Sequence, residues 1–343
     1  MKVLRWILFP VALIYGVITF LRNKCFDFGI FKSYNIPDKS IIVGNLSVGG
    51  TGKSPHIDYL IQHFLTEGVS LSTLSRGYGR KTKGVIIATI SSIPEEIGDE
   101  PTQYKSRYSD RIQVVVAEKR VEGVKRIQEE FPTNKLILLD DAFQHRAVKA
   151  GLNILITPFN DLFSHDFMLP TGNLREWQSG KKRSDIIIVS KTPKGCSEQE
   201  KERVKDSLSS GIIPVFFSSI AYGKLVSFND FKTDDIENAL IVTGIVNPTP
   251  LIEYWKTKAN IEHIAFPDHH NFTQKDITLI HEKFGTFASR SKVIITTEKD
   301  YMRLRGFSEV KDKNFAWHYQ PITIDIDNQP TFNKIINEYV RKV

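Results

Sequence analysis

Short apolar runs that end on polar or acidic side chains recur along the chain, with amphipathic stretches between them. Ile41–Val43, Val114–Val116, Leu136–Leu139, Ile154–Ile156 and Ile186–Val189 have the length and composition of buried strands. His56–Leu65, Arg120–Glu130 and Glu198–Leu208 space their apolar residues as helices do. That alternation predicts an α/β fold, a parallel sheet with helices on both faces. A second series starts at Leu240, with strands expected at Leu240–Thr243, Ile261–Phe266, Val293–Thr296 and Phe315–Tyr319 and a closing helix at Phe332–Val343. Between the two series, Val215–Asp235 alternates apolar and polar residues around Gly223 and reads as a hairpin-like linker. The expected organisation is an N-terminal apolar helix over 1–24, a first domain over 25–214, the linker over 215–235 and a second α/β lobe over 236–343, with a cleft between the lobes.

The N-terminal segment stands apart from this pattern. Trp6–Leu21 is 16 residues without a charge, bracketed by Lys2 and Arg5 before it and by Arg22 and Lys24 after it. A spanning helix wants about 20 apolar residues, so the segment fits either a short span or a helix lying in the interface, with Trp6 and the flanking cations at headgroup level. The layout is that of a signal peptide, but the following Asn23–Gly29 lacks the small-residue cleavage pattern. An uncleaved anchor is therefore expected. A buried core helix is the competing reading, since Pro10 and Gly16 interrupt the run.

Composition narrows the partners. The 343 residues, 41% hydrophobic and 25% charged, describe an ordinary globular chain without low-complexity segments or repeats. The formal charge of +7 favours anionic partners such as nucleotide or anionic lipid, and is equally the charge of a plain basic surface. No nucleic-acid-binding module is recognisable. Two cysteines, Cys25 and Cys196, make no disulfide framework and suit a reducing compartment.

The strongest chemical signal is Ser47-Val48-Gly49-Gly50-Thr51-Gly52-Lys53-Ser54, placed after a strand and before a helix. Small residues let backbone N–H groups surround a β-phosphate, and the helix N-terminus adds its positive dipole end. Lys53 is expected to reach the β- and γ-phosphates and the Ser54 hydroxyl to ligate Mg²⁺, with Ser47 standing where the usual pattern has glycine. This makes the fold P-loop NTPase-like and its expected ligand a nucleoside triphosphate. Asp140 and Asp141 end a strand downstream, where such enzymes hold Mg²⁺, and Gln144 and His145 follow at once. Asp99 and Glu100 lie in Gly98-Asp-Glu-Pro101, and Asp268, His269 and His270 in Phe266–Asn271. Either cluster could accept a hydroxyl proton, and either could equally be a capped turn or a surface loop. Arg76 and Arg80 in Ser75–Arg80, and Arg175 beside Glu176, suit phosphate binding or plain solvation.

The order of GNLSVGGTGKSP, SRGYGR, GDEP, DDAFQH, GNLRE, TGIVNP, FPDHHNFT and TTEKD resembles the tetraacyldisaccharide 4′-kinases, from the N-terminal helix to about Arg303. The family also carries serine at the position of Ser47. The resemblance implies a kinase at the cytoplasmic face of the inner membrane, moving the ATP γ-phosphate to the 4′-hydroxyl of an acylated glucosamine disaccharide 1-phosphate. It further implies Asp99 as base paired with His269, and Asp140 and Asp141 as the groups organising Mg²⁺ and the γ-phosphate. Ala142 stands for the usual glycine of DDGFQH and Ser54 for the commoner threonine, both mild departures. A membrane-tethered GTPase or transport ATPase is the alternative, because Thr297-Glu-Lys-Asp300 faintly resembles a guanine-recognition motif.

Overall fold

The computed structural model describes residues 5–209, 211, 213–229, 235–289 and 291–341. Lys2 of the N-terminal flank, 230–234 of the expected linker and 342–343 of the closing helix lie outside the described residues. The chain divides into two compact units, Met1–Ala221 with Ile324–Val343, and Tyr222–Thr323.

A nine-stranded sheet organises the first unit, in the order Ile322–Ile326, Val215–Tyr222, Ile186–Ser190, Leu152–Pro158, Lys39–Gly44, Leu136–Asp140, Leu71–Ser75, Gln113–Val116 and Ile86–Ile87. From Val215–Tyr222 to Gln113–Val116 every neighbouring pair is parallel, and Ile86–Ile87 closes one edge antiparallel. Because successive strand residues point to opposite faces, each central strand feeds two cores. Ile41, Val43, Leu136 and Leu138 pack on one face with Ile57, Leu60, Ile61 and Phe64 of the Lys53–Thr66 helix and Tyr104 and Tyr108 of the Asp99–Tyr108 helix. Ile42, Ile137 and Leu139 pack on the other with Val124 and Ile127 of the Arg120–Glu130 helix and Leu208 of the Glu198–Ser209 helix. The parallel sheet with helices on both faces is thus present, and it sets the carboxyl ends of the central strands, with the loops that follow them, along one edge.

The second unit holds a five-stranded sheet in the order Val226–Ser227, Trp317–Gln320, Lys292–Thr297, Asn238–Thr243, Asn260–Ala265. Its pairs are parallel except for Val226–Ser227. Leu240, Trp255, Ile280, Phe284, Ile294 and Trp317 fill its core.

Two expectations about the organisation are corrected. Val215–Tyr222 is no linker but an eight-residue strand of the large sheet, so the division falls inside the expected hairpin, at Ala221–Tyr222. The closing helix, Gln329–Arg341, belongs to the first unit and not to the second lobe. Phe332, Ile335, Ile336, Tyr339 and Val340 recur at helical spacing and present one apolar stripe to the core around the Lys53–Thr66 helix. Polar bonds fix its register: Tyr59 Oη donates to Asn333 Oδ1 at 2.7 Å and Tyr339 Oη to the Ser40 carbonyl at 3.1 Å.

The reading of Trp6–Leu21 as a buried core helix is also overturned. A short 3-10 turn at Trp6–Leu8 leads into an α-helix, Phe9–Asp27, in which only Ala12 and Gly16 are buried. Pro10 sits in the first turn, where its missing N–H costs nothing. Gly16 lies against the Trp177 ring, whose Nε1–H donates to the Gly16 carbonyl at 2.8 Å. By length and composition this helix could cross a membrane.

Truncating Phe332 to alanine is expected to cost about 3–5 kcal/mol of stability, read by urea unfolding of the first unit's signal. A loss below about 1 kcal/mol would mean that the last helix is dispensable to that core.

Candidate active site

The Lys39–Gly44 strand delivers its carboxyl end to the loop 45–52, and the Lys53–Thr66 helix leaves from it. Gly52, the residue before that helix, has φ 90° and ψ 20°, a left-handed conformation that glycine adopts without strain. Asn45 Nδ2 donates to the Ser47 carbonyl at 2.6 Å and to Thr51 Oγ1 at 3.0 Å, drawing the loop's two ends together. Val48 N–H donates to the Asn173 carbonyl at 2.8 Å. Of the expected phosphate loop, Ser47–Gly52 therefore form a turn at the edge of the sheet, and Lys53 and Ser54 open the helix that follows.

Lys53 reaches from the loop to Asp141, Nζ–Oδ1 3.5 Å, and Arg175 Nη1 holds the same carboxylate at 3.2 Å from both oxygens. Asp141 has φ 49°. This leaves the β conformation directly after the strand that ends at Asp140, so the two adjacent carboxylates need not alternate as they would in an extended strand. Burial pushes the Asp141 carboxyl up, but Lys53 and Arg175 outweigh it and hold the group below the ordinary range. Asp140 is buried behind it, and its carboxyl is raised from 3.8 to about 7. Burial is the main cause, repulsion from Asp141 and Glu100 adds to it, and Lys53 and Arg120 pull back.

The Asp99–Tyr108 helix brings Asp99 and Glu100 to this edge in its first turn, with Asp99 buried. Its Tyr104 Oη donates to the Ser54 carbonyl at 3.3 Å and to Asp140 Oδ2 at 3.4 Å. Gly98 fits because a Cβ there would lie 2.9 Å from the Gly77 carbonyl carbon and the Tyr78 oxygen, so the acidic turn rests on the Ser75–Arg80 loop. Within that loop Arg76 is exposed. Arg80 is tied down instead, pairing with Glu118 at 2.6 Å and donating to the Gly84 carbonyl at 2.7 Å. Gln144 Nε2 donates to the Asn45 carbonyl at 2.6 Å and to Glu176 Oε1 at 3.0 Å, and so joins the two loops. His269 lies in the second unit with φ 58°, where its N–H donates to the Gly244 carbonyl at 3.1 Å and Arg303 Nη2 donates to its Nδ1 at 2.7 Å.

Several residues at this edge, His145 apart, carry no local signal that singles them out. Arg120 is buried at the start of its helix and donates to the Ala117 carbonyl at 2.5 Å and the Asp140 carbonyl at 3.4 Å. Burial brings its guanidinium down to about 10. His145 is pushed down to about 4 by burial, helped by Arg120. Ser190 and Lys191, at the end of the Ile186–Ser190 strand, touch the phosphate loop itself, with Ser190 Oγ donating to the Thr51 carbonyl at 2.7 Å. The usable hint was their position, because polar residues ending an apolar strand of a parallel sheet fall on the ligand-binding edge.

The donor set suits Mg²⁺. The Ser54 hydroxyl and the Asp140 and Asp141 carboxylates are hard oxygen ligands, and two neighbouring acids gain most from a cation between them. Among the described residues no group of three His, Cys, Asp or Glu side chains forms a metal cage. Mg²⁺ needs none when nucleotide phosphates and water complete its shell.

Comparison with known proteins identifies the family and the fold. The family model described as tetraacyldisaccharide-1-P 4′-kinase matches residues 4–341. The tetraacyldisaccharide 4′-kinase of Flavobacterium psychrophilum is 44% identical over 99% of this chain and 98% of its own. That of Bacteroides fragilis is 41% identical over 99% of this chain and 94% of its own. Among solved structures, the crystal structure of LpxK from Aquifex aeolicus in complex with ATP superposes with a TM-score of 0.76 at 26% identity, covering 98% of this chain and 99% of that one.

The raised Asp140 carboxyl has a pH signature. A carboxyl with a folded pKa above its unfolded value stabilises the fold fully below the unfolded value and loses that contribution as pH rises through the folded one. Stability of the protein in EDTA should therefore fall between about pH 4 and about pH 7 by a component that Asp140→Asn removes. Urea unfolding across that range, giving the same slope for both proteins, would contradict it.

Proposed function

This chain belongs to the tetraacyldisaccharide-1-P 4′-kinase family and is an ATP-dependent kinase of lipid A biosynthesis; on that premise we propose how its residues divide the work. The γ-phosphate of ATP passes to the 4′-hydroxyl of a tetraacyldisaccharide 1-phosphate. The convergence of Lys53, Arg175 and Asp141 at the mouth of the phosphate loop, with Asp140 behind them, carries the assignment.

The loop amides and Lys53 bind and orient the phosphates, so that much of the barrier is met by positioning. Mg²⁺, held by Ser54, Asp140 and Asp141, would supply positive charge to the phosphate oxygens. Lys53 is poised to exchange Asp141 for phosphate, and Arg175 keeps Asp141 charged as it does so. Asp99 takes the proton of the attacking hydroxyl; the role of His269, in the second unit, rests on the family resemblance alone. Arg76, Glu100 and Gln144 are the candidates to meet the sugar or its phosphate. The domain limits proposed are those of the two compact units.

The acceptor, an acylated glucosamine disaccharide 1-phosphate, keeps its chains in lipid, and the exposed face of the N-terminal helix offers the means of staying with it. Ile7, Val11, Ile14, Val17, Ile18 and Leu21 are all exposed. The opposite face is fastened to the protein along its length. Arg5 Nε donates to the Pro170 carbonyl at 2.9 Å, Tyr15 Oη to the Arg175 carbonyl at 3.0 Å, and Asn23 Nδ2 to Glu176 Oε2 at 2.8 Å. From Arg5 to Asn23 is about 27 Å of helix. A helix held over that length favours lying in the interface over spanning. Arg5 and Arg22, expected at headgroup level, are turned to carbonyl oxygens of the protein instead. The need for ATP supports the cytoplasmic face of the inner membrane. A switch GTPase or transport ATPase has no support among the relatives, which are named as kinases.

The decisive assay is 4′-phosphate formation on purified acylated disaccharide 1-phosphate with ATP and Mg²⁺. Lys53→Ala should abolish it with the fold intact, and retained transfer would sink the loop assignment. Asp99→Ala should lower kcat by about 10²–10⁴-fold with little change in the KM for ATP; an unaltered kcat would remove Asp99 as base. Deleting residues 1–24 should release the protein from vesicles containing anionic lipid. Undiminished flotation with the vesicles would place the attachment elsewhere.

A further inference from the structure

A peptide loop can turn its N–H groups toward a phosphate only if the carbonyls of the same peptide units point away, since the two are antiparallel across a trans peptide bond. Those outward carbonyls then need donors of their own. In this loop three consecutive carbonyls meet side-chain donors, the last of them, on the helix N-cap, in addition to the first intrahelical bond. Lys191 Nζ donates to the Gly50 oxygen at 2.5 Å, Ser190 Oγ to the Thr51 oxygen at 2.7 Å, and His56 Nδ1–H to the Gly52 oxygen at 2.7 Å. The first two residues end the Ile186–Ser190 strand, and the third lies one turn into the helix that the loop begins.

We propose that Lys191, Ser190 and His56 are positioning residues that set the phosphate loop in its binding shape before nucleotide arrives. The proposal rests on the phosphate-loop reading above and deepens it. Holding the Thr51 carbonyl outward aims the Gly52 N–H inward, and holding the Gly52 carbonyl aims the Lys53 N–H. The Gly50 carbonyl fixes the unit whose Thr51 N–H closes a tight turn onto the Gly49 oxygen at 3.0 Å. His56 is fitted to this role from its other side. Ser218 Oγ, on the Val215–Tyr222 strand, meets Nε2 at 2.9 Å. Because a carbonyl can only accept, the proton must sit on Nδ1, and Ser218 donates to the free Nε2. Full burial keeps the ring neutral, bringing its pKa down to about 4, so this tautomer holds throughout the neutral range. Ser218 is itself set by the Thr192 N–H, which donates to its carbonyl at 2.9 Å. Two strands of the sheet thereby fix one loop.

The test measures ADP binding with Mg²⁺ by calorimetry on the full chain, alongside the KM for each substrate. His56→Leu should weaken ADP binding and raise the KM for ATP about tenfold, leaving the KM for the lipid acceptor unchanged. His56→Asn places an amide N–H where Nδ1 was and should restore binding to within about threefold of wild type. Ser190→Ala and Lys191→Met, which remove the other two donors with little change in packing, should each weaken ADP binding by about threefold to tenfold; they decide the matter if the leucine variant fails to fold. Wild-type ADP affinity in the folded variants, or an asparagine variant as weak as leucine, would overturn the proposal. Lys53→Ala separates the two levels. If it alone loses ADP binding, the positioning claim fails and the loop reading stands; if it too binds ADP normally, the loop reading itself fails.

Discussion

Backbone groups come in pairs, and a loop that offers its amides to a phosphate must place its carbonyls elsewhere. Much of the first unit follows from that constraint. The loop needs a strand to launch it, a helix to receive it and polar side chains close by on the outside. A parallel sheet supplies all three, because every strand ends on the same edge. Asn45, Ser190 and Lys191 come from the ends of two different strands, and His56 from the receiving helix. The strand between those two, Leu152–Pro158, pairs with both and sets their spacing.

The same edge concentrates charge, and its acids are kept unequal. Asp140 and Asp141 are neighbours in sequence, yet one is buried and pushed up to about 7 while the other is held low by Lys53 and Arg175. The asymmetry follows from where the strand stops. Asp140 is its last residue and points into the protein beside Tyr104, whereas Asp141 has already left the extended conformation. The pair would thus offer a bound cation two carboxylates of unequal acidity. Were a phosphate to take the place of Asp141 beside Lys53, one anion would be exchanged for another.

What the sequence made legible was local. A glycine-rich turn after an apolar run, two acids at a strand's end and an uncharged N-terminal run each announce themselves within a few residues, and each forms the local element expected of it: a strand–loop–helix, a strand ending at Asp140 and a helix. What it hid was set by strand order. Nothing around Ser190 or Lys191 says that their strand ends beside a loop some 140 positions earlier, because that proximity is created by Leu152–Pro158 lying between them. Arg120 read as an ordinary helix start, and only burial beneath Asp140 distinguishes it. The alternation in Val215–Tyr222 was visible, but alternation alone cannot separate a hairpin arm from the eighth strand of a sheet. The closing helix carried its apolar stripe plainly, and its destination depended on which core lacked a cover.

The N-terminal helix joins the two themes of surface and site. Its polar contacts fall on two segments, Pro170–Glu176 and Gln144–Arg146, which include Arg175 that holds Asp141 and the Gln144–Glu176 pair that joins the loops. Trp177 adds an indole against Gly16, where any side chain would collide with the ring. A helix serving only as a tether would need one firm attachment and could hang from a flexible joint. This one is instead a wall of the first unit: its inner face fixes the backbone of Arg175 while its outer face presents bare hydrocarbon. If the outer face lies on lipid, as proposed above, these contacts would hold the phosphate loop at a set distance from the surface in which the acceptor's chains are buried.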